Sequence, residues 1–76
     1  MTSTVVIIGA NRGVGLALAG HYVDAGWQVI GVCRESSEEL DRTATQVIAG
    51  IDVTQPDAIA RLVTALNGRV ITLLIN

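Results

Sequence analysis

The chain has 76 residues, room for a single domain at most and about half of what a doubly wound nucleotide-binding domain usually needs. Hydrophobic residues make up 50% of it and its mean hydropathy is +0.52, which is apolar for a chain whose small size leaves much of its surface to water; a piece of a larger domain is the expected reading. Its net charge is −2 and its five basic residues are all Arg, so there is no basic stripe to neutralise a nucleic-acid backbone.

Thr4 to Ile8 is a β-branched run, apolar on both faces, which suits a buried parallel strand. Residues 10 to 13 form a glycine-containing turn. From Val14 to Ala25 the pattern becomes helical, with Leu16, Ala19, Gly20 and Val23 at helical spacing and Leu18 and Tyr22 beside them. Gly26 is placed to close that helix in a left-handed conformation. Trp27 to Cys33 is the second strand. Ser36-Ser37-Glu38-Glu39 has capping-box spacing, Ser followed by Glu three residues later, and predicts a short helix of about two turns. Gln46 to Ile51 is the third strand. Thr54-Gln55-Pro56-Asp57 predicts a helix start, with Thr54 as cap, Pro56 in the first turn and Asp57 near the positive end. Ile59, Leu62, Val63 and Leu66 mark one face of that helix, Asn67-Gly68 closes it, and Val70 to Ile75 is the fourth strand.

The order βαβαβαβ predicts an α/β domain with a parallel sheet and helices on both sides. With right-handed crossovers and strand order 3-2-1-4, the first two helices share one face and the third takes the other.

The first strand runs into Gly9-Ala10-Asn11-Arg12-Gly13-Val14-Gly15, directly before a helix. A glycine at a strand end permits a turn that other residues would strain. One at the helix start lets backbone N–H groups approach a phosphate, and a third allows helix and strand to pack closely. The spacing G-x-x-x-G-x-G differs from the general G-x-G-x-x-G fingerprint, and no Gly-Lys-Ser/Thr follows to make it a phosphate-binding P-loop. At the end of the second strand, where an acid would hydrogen-bond a ribose 2′-hydroxyl, the chain has Cys33 followed by Arg34. A guanidinium there suits a 2′-phosphate, hence NADP in preference to NAD; Glu35 next door is a counter-sign. Asp52, taken by itself, reads as a polar residue capping a strand end.

Gly9-Ala10-Asn11-Arg12-Gly13-Val14-Gly15, Gly31-Val32-Cys33-Arg34, Ile51-Asp52-Val53-Thr54 and Leu73-Leu74-Ile75-Asn76 resemble, in order and over the whole chain, the front half of the short-chain dehydrogenase/reductase (SDR) family. The look is closest to its carbonyl-reductase and C-factor-like branch. Ile8 departs from the pattern, where the family usually has Thr.

The resemblance implies a partial Rossmann-type three-layer domain, with residues 1–76 as a single, incomplete NAD(P)-binding unit. It implies cofactor contacts at Gly9, Asn11, Arg12, Gly13, Val14, Gly15, Arg34, Asp52, Val53 and Asn76, with Arg12 a second NADP marker, Asp52 on the adenine amino group and Val53 contacting through its backbone. Asn76 matches an Asn that ties the fourth strand to the sheet. The family moves hydride using a Ser, a Tyr and a Lys four residues after that Tyr, all beyond the fourth strand. Here the one Tyr, Tyr22, has Gly26 four residues on, and there is no Lys, so no catalytic residue is assigned.

Two classes of function stay open: the NADP-binding part of an oxidoreductase, or a naturally short, non-catalytic nucleotide-binding or interaction module. The ending inside an apolar strand favours the first. A homo-oligomer covering Val70 to Ile75 is expected. Cys33 stands alone, reads as a small buried hydrophobe, and with one His frames no metal site; both facts fit a reducing, cytoplasmic setting. The N-terminus lacks the basic region and cleavage site of a signal peptide, and no apolar run approaches the roughly 20 residues that span a bilayer.

Overall fold

The computed structural model describes residues 3–76. Its sheet has four parallel strands, β1 (Thr4–Ile8), β2 (Gln28–Val32), β3 (Gln46–Ile48) and β4 (Leu73–Ile75), in the order β3-β2-β1-β4. The registers Ile8↔Val32 and Val32↔Ile48 bring the C-terminal ends of the first three strands level. Val5, Val6 and Ile7 of β1 are fully buried, which is why this strand carries no polar alternation: it is covered on both faces.

Alternate residues feed two cores. Val5, Ile7 and Val29 face α1 (Gly13–Asp24) and α2 (Glu38–Thr43), where Ala19 and Leu40 are fully buried and Leu16, Leu18, Tyr22 and Val23 pack beside them. Val6, Ile30, Val32 and Ile48 face α3 (Ala58–Leu66), which contributes Ala58 and Leu62. Two helices therefore lie on one side and one on the other, as right-handed crossovers in this strand order require. Gly31 makes room for α2: a Cβ there would sit 2.9 Å from one Leu40 methyl and 3.2 Å from the other.

α1 ends as its sequence predicts. Gly26 takes φ +88°, its N–H donates to the Val23 carbonyl at 3.0 Å, and the Trp27 N–H donates to the Tyr22 carbonyl at 2.9 Å. This is a Schellman motif, and its hydrophobic contact is Trp27 on Tyr22, rings edge-on with centroids 4.9 Å apart. Asn67 and Gly68, both left-handed, close α3.

Several local expectations shift. The residue that caps α2 is Ser37, whose hydroxyl accepts the Leu40 N–H at 3.1 Å; Ser36 instead donates to Asp41. Thr54 does not cap α3. Its N–H and hydroxyl are taken by Asp52, residues 54–57 form a turn, and the helix begins at Ala58 after Asp57. The apolar face of α3 is wider than the sheet beneath it: Ala58 and Leu62 are buried, but Ile59 is 67% and Val63 63% exposed. Regular pairing of β3 stops at Ile48, because Gly50 turns the chain at φ +80° before the Ile51 N–H rejoins the Cys33 carbonyl at 3.1 Å. β4 pairs from Leu73 only; before it, Thr72 accepts the Thr4 N–H on its hydroxyl and donates its own N–H to the Thr4 carbonyl.

Candidate functional site

A cleft of about 950 Å³ opens at the C-terminal ends of β1, β2 and β3. Three segments wall it: Ile8 to Gly15 except Ala10, Cys33 to Glu35, and Ile51 to Thr54.

The first wall is the glycine-rich turn. Gly9 leaves β1 at φ +79°, and the Gly9 and Ala10 N–H groups both donate to the Val32 carbonyl, at 2.8 and 3.3 Å, which pins the turn to the end of β2. Arg12 is extended, Gly13 reverses to φ +59°, and α1 begins. The glycines differ in what they do. A Cβ on Gly9 or Gly13 would meet nothing within 4 Å, so their positive φ is what requires glycine. A Cβ on Gly15 would lie 2.2 Å from the Gly9 carbonyl oxygen, so glycine there lets α1 sit directly on the turn.

No side chain caps the start of α1, and its first turn holds no acid. Its N–H groups and the positive end of its dipole are therefore free to receive water or an anion. Val14, 77% exposed, stands at this rim.

The second wall supplies charge. Cys33 is nearly buried, and burial first, then the nearby Asp41 carboxylate, pushes its thiol above the ordinary value of 9.0. It is thus a packing residue. Arg34 and Glu35 follow, both exposed. The third wall is a turn built on Asp52. One carboxylate oxygen accepts the Thr54 hydroxyl at 2.6 Å and the Thr54 N–H at 3.0 Å. These bonds, with a smaller contribution from the Arg34 guanidinium, hold the Asp52 carboxyl below its usual 3.8.

Nine of the ten positions read from the sequence line this cleft: Gly9, Asn11, Arg12, Gly13, Val14, Gly15, Arg34, Asp52 and Val53. Asn76 does not; it follows β4, on the far side of β1 from β2 and β3. The structure adds Thr54, which orients Asp52, and Ser37, whose hydroxyl donates to the Asn11 carbonyl at 2.9 Å. The double serine before α2 was the only signal for Ser37.

The arrangement fits a dinucleotide. Uncapped N–H groups face a place for phosphate, Arg12 and Arg34 line the same cleft, and the fixed Asp52 carboxylate gives a hydrogen-bond acceptor on the third side. Among the described residues no group of three or more His, Cys, Asp or Glu could hold a metal ion, and no helix is long and apolar enough to cross a membrane.

Comparison with known proteins agrees with the geometry. The family model for short chain dehydrogenase matches residues 3–76. A serine 3-dehydrogenase from Agrobacterium fabrum is 40% identical over 70 residues, which is 87% of this chain and 28% of that protein. A Burkholderia multivorans protein assigned to the short-chain dehydrogenases/reductases, solved with bound NADP, superposes with a TM-score of 0.78 at 31% identity, over 97% of this chain and 35% of that one. A short-chain dehydrogenase from Streptomyces avermitilis gives a TM-score of 0.71 at 34% identity, over 96% of this chain and 29% of that one. The chain thus spans about a third of the length of these relatives, and the likeness reaches the family without singling out a branch of it. A parallel 3-2-1-4 sheet, a glycine-rich turn opening on a cleft at the strand ends, and a family match over all but two residues together make this chain a member of the short-chain dehydrogenase family.

Proposed function

We propose that this chain is the NADP(H)-binding N-terminal portion of an oxidoreductase that transfers hydride to or from a carbonyl or alcohol, and that it binds cofactor without catalysing the transfer. The observation that carries the reading is the pairing, in one cleft, of an uncapped helix N-terminus with two arginines. The pyrophosphate would rest on the N–H groups from Gly13 to Gly15. The 2′-phosphate would lie between Arg12 and Arg34, where bidentate, charge-assisted hydrogen bonds favour it over a bare ribose hydroxyl. Asp52 would accept from the adenine amino group, with the Val53 backbone beside it. Bound NADPH supplies the hydride; the chain's residues hold and orient the adenosine half. The NADP in the Burkholderia multivorans relative supports this choice of cofactor. With no Lys in the chain, Tyr22 has no ammonium partner four residues on.

Fluorescence titration tests the reading. NADPH is expected to bind at least tenfold more tightly than NADH, the scale of one charge-assisted contact. Arg34→Glu should weaken NADPH much more than NADH. Equal or tighter binding of NADH by the unaltered chain overturns the NADP assignment.

Two further readings go with this one: a cytoplasmic setting, in keeping with the unpaired Cys33, and a homo-oligomer formed through β4.

A further inference from the structure

The turn between Gly9 and Gly13 is anchored unevenly. Its start is held by the two bonds to the Val32 carbonyl. Its apex, Asn11 and Arg12, lies between two glycines at positive φ, the residues that resist backbone movement least. Two bonds reach the apex from other elements: the Leu16 N–H of α1 donates to the Arg12 carbonyl at 3.3 Å, and the Ser37 hydroxyl donates to the Asn11 carbonyl at the shorter distance of 2.9 Å.

Ser37 is itself firmly placed. Its oxygen accepts the Leu40 N–H as it caps α2, and Leu40 is fully buried in the space that Gly31 leaves open. The hydroxyl therefore donates in one direction and accepts in the other, and links the apex of the turn to the core through α2. It also stands three residues after Arg34, on the connection that carries that guanidinium into the cleft. One side chain thus ties together the two segments that bear Arg12 and Arg34. Because every peptide among the described residues is trans, holding the Asn11 carbonyl toward Ser37 also fixes the Arg12 N–H in the opposite direction.

We infer that Ser37 is a positioning residue for cofactor choice: by holding the Asn11–Arg12 peptide against the start of α2, it keeps Arg12 and Arg34 at the separation that one ribose 2′-phosphate can bridge. This rests on the NADP reading given above. Without the hydroxyl, α1 and the pyrophosphate-binding N–H groups stay in place through the Gly9, Ala10 and Gly15 contacts, while the Asn11–Arg12 peptide is freed on its Asn11 side and Arg12 is left with the 3.3 Å bond from Leu16. The loss therefore falls on the 2′-phosphate and spares the 5′ side.

The test is a calorimetric titration of the full chain with adenosine 2′,5′-bisphosphate and with ADP. The unaltered chain prefers the 2′-phosphorylated ligand. Ser37→Ala reduces that preference about fivefold, the scale of one neutral hydrogen bond, and Ser37→Thr, which keeps the hydroxyl, restores it. Ser37→Gly gives the same answer in a background that leaves α2 formed, because glycine is tolerated at a helix N-cap. In amide NMR spectra of Ser37→Gly, Arg12 and Gly13 shift while the β1 and β2 amides do not. If the unaltered chain shows the preference and both Ala and Gly variants keep it, or lose both ligands equally, Ser37 has no positioning role. If the unaltered chain shows no preference, the cofactor reading fails first and this inference falls with it.

Discussion

Asp52 shows what a single side chain contributes to the cleft. Its carboxylate is fixed by the Thr54 hydroxyl and N–H before any ligand arrives, and those bonds favour the charged form. Its pKa is therefore lower folded than unfolded. The contribution to stability is present in full above the unfolded value of 3.8 and is lost as pH falls through the lower folded value. Urea unfolding followed from neutral pH down through this window should show a loss that Asp52→Asn removes; a variant with the same pH profile as the parent would show that the turn is not coupled to folding. The sequence could reveal Gly9, Gly13 and Gly15, because each answers a local backbone demand at fixed spacing. It could not reveal Ser37 or the engagement of Thr54. Serine and threonine hydroxyls suit several partners equally, and the partner of Ser37 is a carbonyl 26 residues away.

Elements were legible where composition and geometry left one choice. The four apolar runs became strands, and the glycine after α1 became its stop. The misjudged starts of α2 and α3 lie where two polar residues compete for one role, whereas β3 is cut short by the turn at Gly50. Ser36 and Ser37 both could cap α2, and the one that also reaches Asn11 does. Thr54 could cap α3 until Asp52 takes its hydroxyl. The junction of β2 with α2 depends on a gap rather than a contact. Gly31→Ala drives a methyl against Leu40 and should cost about 1–3 kcal/mol by overpacking, and Leu40→Ala about 2–5 kcal/mol by opening a cavity. The double variant should cost clearly less than the sum, since the new methyl occupies part of the vacated space; strict additivity in denaturant melts would refute the fit between these two elements.

For the molecule as a whole, the alternation of strands and helices pointed to a parallel sheet, the 3-2-1-4 order came from the doubly wound dinucleotide-binding pattern, and the division of helices between faces followed from that order and crossover handedness. What the pattern could not give is how far each helix covers the sheet. β4 is the outer strand on its side, Leu74 is 59% and Val70 86% exposed, and Ile59 and Val63 of α3 add to the apolar surface. Such an edge offers unpaired backbone groups and greasy side chains to a second copy. Light scattering should show the mass rising with concentration, and Leu74→Lys, which puts a charge on the edge, should hold the chain monomeric. A parent chain that stays monomeric at high concentration would remove the case for a β4 interface.

The Schellman closure of α1 has an optical consequence. Trp27 is the only tryptophan and Tyr22 the only tyrosine, there is no phenylalanine, and the two rings touch edge to face. Light absorbed by the tyrosine passes to the indole while α1 is docked on the sheet, and the tyrosine emits for itself once that helix end comes undone. The chain carries its own two-colour gauge of whether the helix that follows the glycine-rich turn is seated, readable without a label.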